Sequence, residues 1–337
     1  MMPPRLPVPP TQWSRRVAEP ASATQIDAAW LRDHPLPVHG EGTDKDSRGH
    51  VVAIGGSRGV PGGLLLTGEA ALRAGAGKVQ LATIESCAIA LGIAFPEAGI
   101  LALGEGDDGE IDPDGIVCLS HTLELCDSVV IGPAIGSPER AGAILHALFA
   151  KLLDRQHVVI DAVAIHAIRE RAETLRTYRG ELVVTPNPDE LASLLACADS
   201  ELATDPAGSA KKAADFLQAV IVHKGGESFV ASPDGEVLHY QGGGVGLATG
   251  GSGDVLAGLI AALMARGSEP FVAAAWGVWL HGEAGKRMTA SMGPIGFFAR
   301  ELSSQVPALM QAPRLSRSLH QLATQVADVD AEQPQRS

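Results

Sequence analysis

The chain has 337 residues, and 26 Lys+Arg against 39 Asp+Glu leave a formal net charge of −13. An acidic chain with only 7 Phe, 4 Trp and 2 Tyr lacks both the basic surface and the stacking platforms that a general nucleic-acid binder needs. With 45 % hydrophobic and 19 % charged residues it can bury a sizeable core, which excludes disorder throughout.

Residues 1–45 are rich in proline (Pro3, Pro4, Pro7, Pro9, Pro10, Pro35, Pro37) and read as an arm with one short helical segment near 26–31. The start of the chain runs into prolines and Arg15-Arg16 without the continuous apolar core of a secretory signal. The longest apolar run, 255–265, is short of the ~20 residues that span a bilayer, so the expected location is the cytoplasm. Cysteines at 87, 118, 126 and 197 form no C-x-x-C pair and are expected as buried, reduced thiols.

From 46 to 312, short β-rich apolar runs alternate with amphipathic segments. Strands are predicted at 50–54, 78–83, 128–131, 157–160, 181–185 and 219–223, with helices after each, such as 64–74, 138–153 and 190–196. Such alternation implies βαβ crossovers, and therefore an α/β fold with a mostly parallel sheet covered by helices on both faces. Residues 227–232 and 236–240, joined by Pro233-Asp234-Gly235, read as a hairpin, and helices follow at 253–265, 271–287 and 295–309. Residues 313–337 lose apolar periodicity and read as a polar tail. Ligands of open sheets of this kind bind beyond the carboxyl ends of the strands.

Several motif matches fail on their context. Gly104-Glu-Gly106-Asp-Asp-Gly109 spells G-x-G-x-x-G, but its acids would surround a pyrophosphate and no helix follows, so it reads as a turn. Gly55-Gly-Ser57-Arg-Gly59 spells a nucleophile elbow, yet Pro61-Gly62-Gly63 come where the helix should already run. The Gly-Lys pairs at 77–78 and 285–286 lack the rest of a Walker loop. More informative is Thr249-Gly250-Gly251-Ser252-Gly253-Asp254, which opens directly into an apolar helix. Amides at a helix start are unpaired within the helix and carry the positive end of its dipole, so phosphate is the natural guest. Asp254 there is either a first-turn acid complementing the dipole or a carboxylate that exchanges a proton with a hydroxyl beside the anion site. The density of glycines favours the second reading, because close approach of a ligand to backbone requires it and ordinary capping does not.

Thr249–Asp254 resembles the signature of the ribokinase-like superfamily, whose fold is a three-layer αβα sandwich around a mostly parallel sheet. Further stretches narrow the resemblance to the ADP-dependent (S)-NAD(P)H-hydrate dehydratases: Asp44-Lys-Asp-Ser-Arg-Gly-His50, Ile54 through Gly63, Ala70 through Lys78, Ile131-Gly-Pro-Ala-Ile-Gly136, Thr185-Pro-Asn-Pro-Asp-Glu190, His223-Lys-Gly-Gly226 and Leu247 through Gly258. The resemblance implies a hydro-lyase that repairs hydrated NADH or NADPH at the expense of ADP, releasing AMP and phosphate. It implies a nucleotide loop of Lys224, Gly225, Gly226, Glu227 and Ser228 and an AMP contact at Gly253, next to Gly250, Gly251 and Ser252 of the same nucleotide-binding turn. Asp254 is implied as the acid at the substrate, with Gly63, Gly136 and Asn187 lining the substrate pocket. Mg²⁺ is expected with the nucleotide, its ligands unassigned, and the assembly implied is a homo-oligomer, a tetramer by resemblance. Two positions depart from the family pattern. Asn187 stands where histidine is usual, and Val163 replaces a carboxylate in Asp161-Ala-Val-Ala-Ile165. Those departures keep two other expectations open: an ATP-dependent small-molecule kinase, and an adenine-nucleotide-binding protein without chemistry.

Overall fold

The computed structural model describes residues 23–311, apart from Arg179. Ten strands form one sheet: β1 (Thr24–Gln25), β2 (His50–Ile54), β3 (Lys78–Ile84), β4 (Gly99–Leu103), β5 (Ser128–Ile131), β6 (His157–Ile160), β7 (Leu182–Val184), β8 (Val220–His223), β9 (Glu227–Ala231) and β10 (Val237–Gln241). Their order is β1-β10-β9-β8-β7-β6-β5-β2-β3-β4. From β2 to β8 all pairs are parallel, and β9 runs antiparallel to both of its neighbours.

The middle strands are apolar without interruption because both of their faces are covered, and every residue of β2 and β5 is buried. Alternate residues then serve opposite layers. Val51 and Ala53 join the core beneath the helices Gly63–Arg73, Ser252–Ala265 and Pro270–Met292. Val52 and Ile54 join the core beneath Pro138–Phe149, Pro188–Leu195 and Pro206–Leu217. This is the expected three-layer αβα sandwich. The Ser252–Ala265 helix is apolar all round, as a helix packed on every side must be.

Three parts differ from the sequence reading. β4 was not anticipated; it is an edge strand, half-exposed, and its Gly-led sequence carries a weak strand signal. The segment expected as one helix over 295–309 is divided, with a helix at Ala299–Ser303 begun by Phe298 N–H donating to Glu301 Oε2 at 2.7 Å. Within the Pro-rich arm, residues 24–36 pack onto the body. β1 pairs with β10, Asp27 caps the Ala28–Asp33 helix, Trp30 and Leu31 are buried, and Trp276 Nε1 donates to His34 O at 2.8 Å. The first part of the arm and the polar tail at 313–337 lie outside the described residues. Cys87 and Cys126 are buried as expected, but Cys118 is exposed. Among the described residues no helix is long and apolar enough to cross a membrane.

The chain leaves β2 towards β3 and β4 on one side and returns as β5 on the other, so the sheet has a switch point between β2 and β5. The loops beyond the carboxyl ends of β2, β5, β6, β7 and β8 therefore gather on one rim, which is where such sheets hold their ligands.

Candidate functional site

Three strand ends deliver polar residues to this rim. Asp161 follows β6 and Thr185 follows β7, each one residue past a run of buried apolar positions, and Lys224 follows β8 directly after the buried His223. Lys224 N–H donates to Pro186 O at 2.8 Å, which fixes the end of β8 against that of β7. Asp161 is buried and accepts at Oδ1 from Lys224 Nζ at 2.7 Å and from Thr185 Oγ1 at 2.6 Å. Glu190 Oε2 lies 3.9 Å from the same ammonium. Glu190 is held by a capping box, accepting from Asn187 N–H at 2.7 Å while Asn187 Oδ1 accepts from Glu190 N–H at 2.8 Å.

The opposite wall is the start of the Ser252–Ala265 helix. Gly251, its N-cap, has φ +88°, a left-handed conformation that favours glycine, and a Cβ there would also displace the end of the Leu66 side chain. Gly253 backs directly onto the ion pair: a Cβ at this position would lie 3.2 Å from Lys224 Nζ. No side chain caps this helix start; Ser252 N–H donates to Thr249 O at 3.3 Å, and the amides of Gly253 and Asp254, two residues of the cavity wall, are left for a ligand.

Strand ends and helix start enclose a cavity of about 810 Å³, roomy enough for a nucleotide. Its walls include Lys224, Gly225, Gly226, Ser228, Gly251, Ser252, Gly253, Asp254 and Asn187, so most of the residues expected from sequence are brought together. Others are not. Glu227 turns its carboxylate to His239 Nε2 at 3.0 Å and Gln241 Nε2 at 2.9 Å, and neither it nor Gly250 lines the cavity. Gly63 packs against Ala134, and Gly136 N–H donates to Glu110 Oε2 at 2.9 Å, so both lie at the β2 and β5 end of the rim outside this cavity. Val163 packs into the second core, while its neighbour Ala162 faces the cavity with φ +53°. A non-glycine residue in the left-handed region is strained, and such strain concentrates where function over-determines the backbone.

Three carboxylates surround one lysine here, and the electrostatics follow. Burial, then the charge of Asp161, push Asp254 up to about 7, with Lys224 opposing. Burial raises Glu190 above the ordinary carboxylate range, again against Lys224. Burial alone would lower the Lys224 ammonium, but Asp161 and then Glu190 outweigh it and hold the lysine above its usual value. Asp254 is thus a carboxyl poised to take or return a proton near neutrality, beside a cation and an anion-binding helix start.

Sequence reasoning did not single out Asp161, Thr185, Glu190 or His281 as site residues. Asp161 had a signal, a carboxylate directly after a continuous apolar strand. His281 had none; it sits in the middle of the Pro270–Met292 helix, and only packing brings its Nε2 to 3.1 Å from Ser252 Oγ on the cavity wall.

Residues 51–308 match the family model described as NAD(P)H-hydrate dehydratase. The chain is 42 % identical over 285 residues to the ADP-dependent (S)-NAD(P)H-hydrate dehydratase of Xanthomonas campestris, covering 85 % of this chain and 95 % of that one. It is 32 % identical over 274 residues to the enzyme of the same name from Neisseria meningitidis, covering 80 % and 88 %. Against the bifunctional NAD(P)H-hydrate repair enzyme of Moorella thermoacetica, 36 % identical over 288 residues, it spans about half the length, 53 %. Among solved structures it is similar to a ribokinase-like superfamily protein from Enterococcus faecalis, with a TM-score of 0.75 at 26 % identity over 86 % of this chain and 96 % of that one. The ADP/ATP-dependent NAD(P)H-hydrate dehydratase of Bacillus subtilis, co-crystallized with ATP and Mg²⁺, gives a TM-score of 0.71 at 27 % identity over 86 % and 99 %. With a ribokinase-like fold and a family match over most of its length, the chain belongs to the NAD(P)H-hydrate dehydratase family.

Proposed function

We propose that this protein is a hydro-lyase that uses ADP to remove water from the S epimer of hydrated NADH or NADPH, returning the reduced coenzyme with AMP and phosphate. The observation that carries the reading is the place of Asp254, a half-buried carboxyl in the first turn of the uncapped Ser252–Ala265 helix, on the wall of the cavity it shares with the Lys224 ammonium.

The chemistry of the substrate explains why such a site suits an elimination. Hydroxide is a poor leaving group. In this reading the hydrate's hydroxyl gives its proton to Asp254 and attacks the terminal phosphorus of ADP, the bond to AMP breaks, and the phosphorylated intermediate then loses phosphate from one ring carbon and a proton from the adjacent ring carbon, the C–H electron pair forming the restored ring double bond. The Gly253 and Asp254 amides and Lys224 stabilise charge that gathers on the phosphoryl oxygens. Lys224, Gly225, Gly226, Ser228 and Gly251 to Gly253 form the nucleotide's cradle. Gly63 and Gly136 belong to the coenzyme end only if the substrate extends along the rim beyond the cavity.

Magnesium fits as an ion that arrives on the nucleotide. Among the described residues no group of three or more His, Cys, Asp or Glu side chains is arranged to hold a metal. Mg²⁺ in phosphoryl-transfer sites is commonly held by one or two carboxylates together with the substrate's phosphates, and Asp161 and Glu190 are the carboxylates in place. Bound there, it would neutralise charge on the phosphates. A cytoplasmic location and a homo-oligomeric assembly complete the reading.

The test is recovery of reduced-nicotinamide absorbance from hydrated NADH with ADP, with ATP and with no nucleotide. ADP-dependent recovery is expected. Phosphorylation of small alcohols by ATP with no hydrate turnover would replace this reading with that of a kinase, and binding of adenine nucleotide without turnover would reduce the protein to a binder.

A further inference from the structure

His281 lies inside the molecule's polar cavity wall and has so far been given no task. Its Nε2 is 3.1 Å from Ser252 Oγ, and both residues line the cavity at the helix start assigned above to phosphate. Burial, then the nearby Lys224 charge, lower its affinity for a second proton to about 4, so the ring is neutral at physiological pH. A neutral imidazole has one N–H donor and one acceptor nitrogen.

The serine's needs decide how these are used. A hydroxyl has one proton to donate, and a phosphate oxygen can only accept. A serine in the first turn of a helix can also spend that proton on a nearby backbone carbonyl. If the imidazole donates from Nε2 to Ser252 Oγ, the hydroxyl proton is left for the ligand, and the wall gains a donor chain without a second cation beside Lys224.

We infer that His281 is a positioning residue whose Nε2–H holds the Ser252 hydroxyl so that the serine donates to a phosphate oxygen of the bound nucleotide. The inference rests on the reading of this cavity as the nucleotide site. Imidazole rather than a cationic side chain suits the position, because a second positive charge buried against Lys224 would be repelled and left unpaired.

The experiment is a double-mutant cycle on the full chain, read by calorimetric titration with ADP. Ser252→Ala and His281→Leu are each expected to weaken ADP by about 10- to 150-fold, the range for a hydrogen bond to a charged group. The double variant should bind as Ser252→Ala does, since His281 acts through the serine. His281→Gln, whose amide N–H reaches the place of Nε2, should bind within about threefold of the parent, whereas the shorter His281→Asn should resemble His281→Leu. Melting temperatures of all variants identify any that fail to fold, and the Gln and Asn pair answers the question if Leu is not tolerated. Additive losses in the cycle, equal weakening by Gln and Asn, or unchanged binding in His281→Leu would each overturn the inference. A parent protein that does not bind ADP would overturn the cavity reading and this inference with it.

Discussion

Lys224 Nζ stands 2.7 Å from the buried Asp161 Oδ1, and this pair, joined from the ends of β8 and β6, is the electrostatic neighbour of Asp254. Its two members act on Asp254 in opposite directions. The aspartate raises the proton affinity of Asp254 and the lysine lowers it.

A pair of opposite shifts follows for the pH dependence. Asp254 must be ionised to accept a proton, so kcat/KM for the hydrate is expected to rise through about pH 7. Asp161→Asn removes a raising influence and should move that rise to lower pH, and Lys224→Gln removes the lowering one and should move it to higher pH. Rate profiles against pH for the three proteins check this, and movement of both variants in one direction would contradict it.

The same carboxyl costs the empty protein stability. Its affinity is raised from an ordinary 3.8 to about 7, so the folded state binds the proton more tightly than the unfolded chain does. That contribution is fully present below about pH 4 and is lost as pH rises through about 7. Asp254→Asn cannot suffer the loss, and its melting temperature should exceed the parent's by about 2–6 °C above pH 7. The gap should close in acid; a gap that persists unchanged there would show that packing, not ionisation, is responsible.

Gly258 and Gly250 separate architecture from site. A Cβ on Gly258 would stand 2.2 Å from Thr67 O, a backbone atom of the neighbouring Gly63–Arg73 helix that cannot yield cheaply. Gly258→Ala should therefore destabilise by about 2–3 kcal/mol in denaturant titration. A Cβ on Gly250 would meet nothing within 4 Å, and Gly250→Ala should lie within about 0.5 kcal/mol of the parent.

Asn187 is tied to the helix it begins. Its side chain accepts from Glu190 N–H at 2.8 Å, so Asn187→Ala should cost about 1 kcal/mol, with Asn187→Ser recovering most of it. Equal stability of all three proteins would remove the capping role.

These residues also mark what the chain's sequence discloses. β2 and β5 are legible because burial on both faces leaves a continuous apolar run bounded by polar turns. β4 is not, because a half-exposed edge strand beginning with glycine carries neither a clean alternation nor a run. In the region of residues 24–36, proline content concealed a cap at Asp27 and two buried side chains, Trp30 and Leu31, whose partners are supplied by distant helices. The glycine loop at 249–253 and Asp254 were readable from local spacing, since the anion site they form is itself local. Lys224 with Asp161, 63 residues apart, and His281 with Ser252, 29 apart, were not, because only the order of strands and the packing of two helices bring them together.

The most direct test compares the parent protein with Asp254→Asn in the ADP-driven recovery of reduced-nicotinamide absorbance from hydrated NADH, with ADP affinity measured on both. The account predicts turnover in the parent, a fall of about 10²- to 10⁴-fold in kcat in the variant, and ADP affinity within about threefold. Undiminished turnover in the variant, or loss of ADP binding in step with turnover, would contradict the assignment of Asp254 as the group that moves the proton.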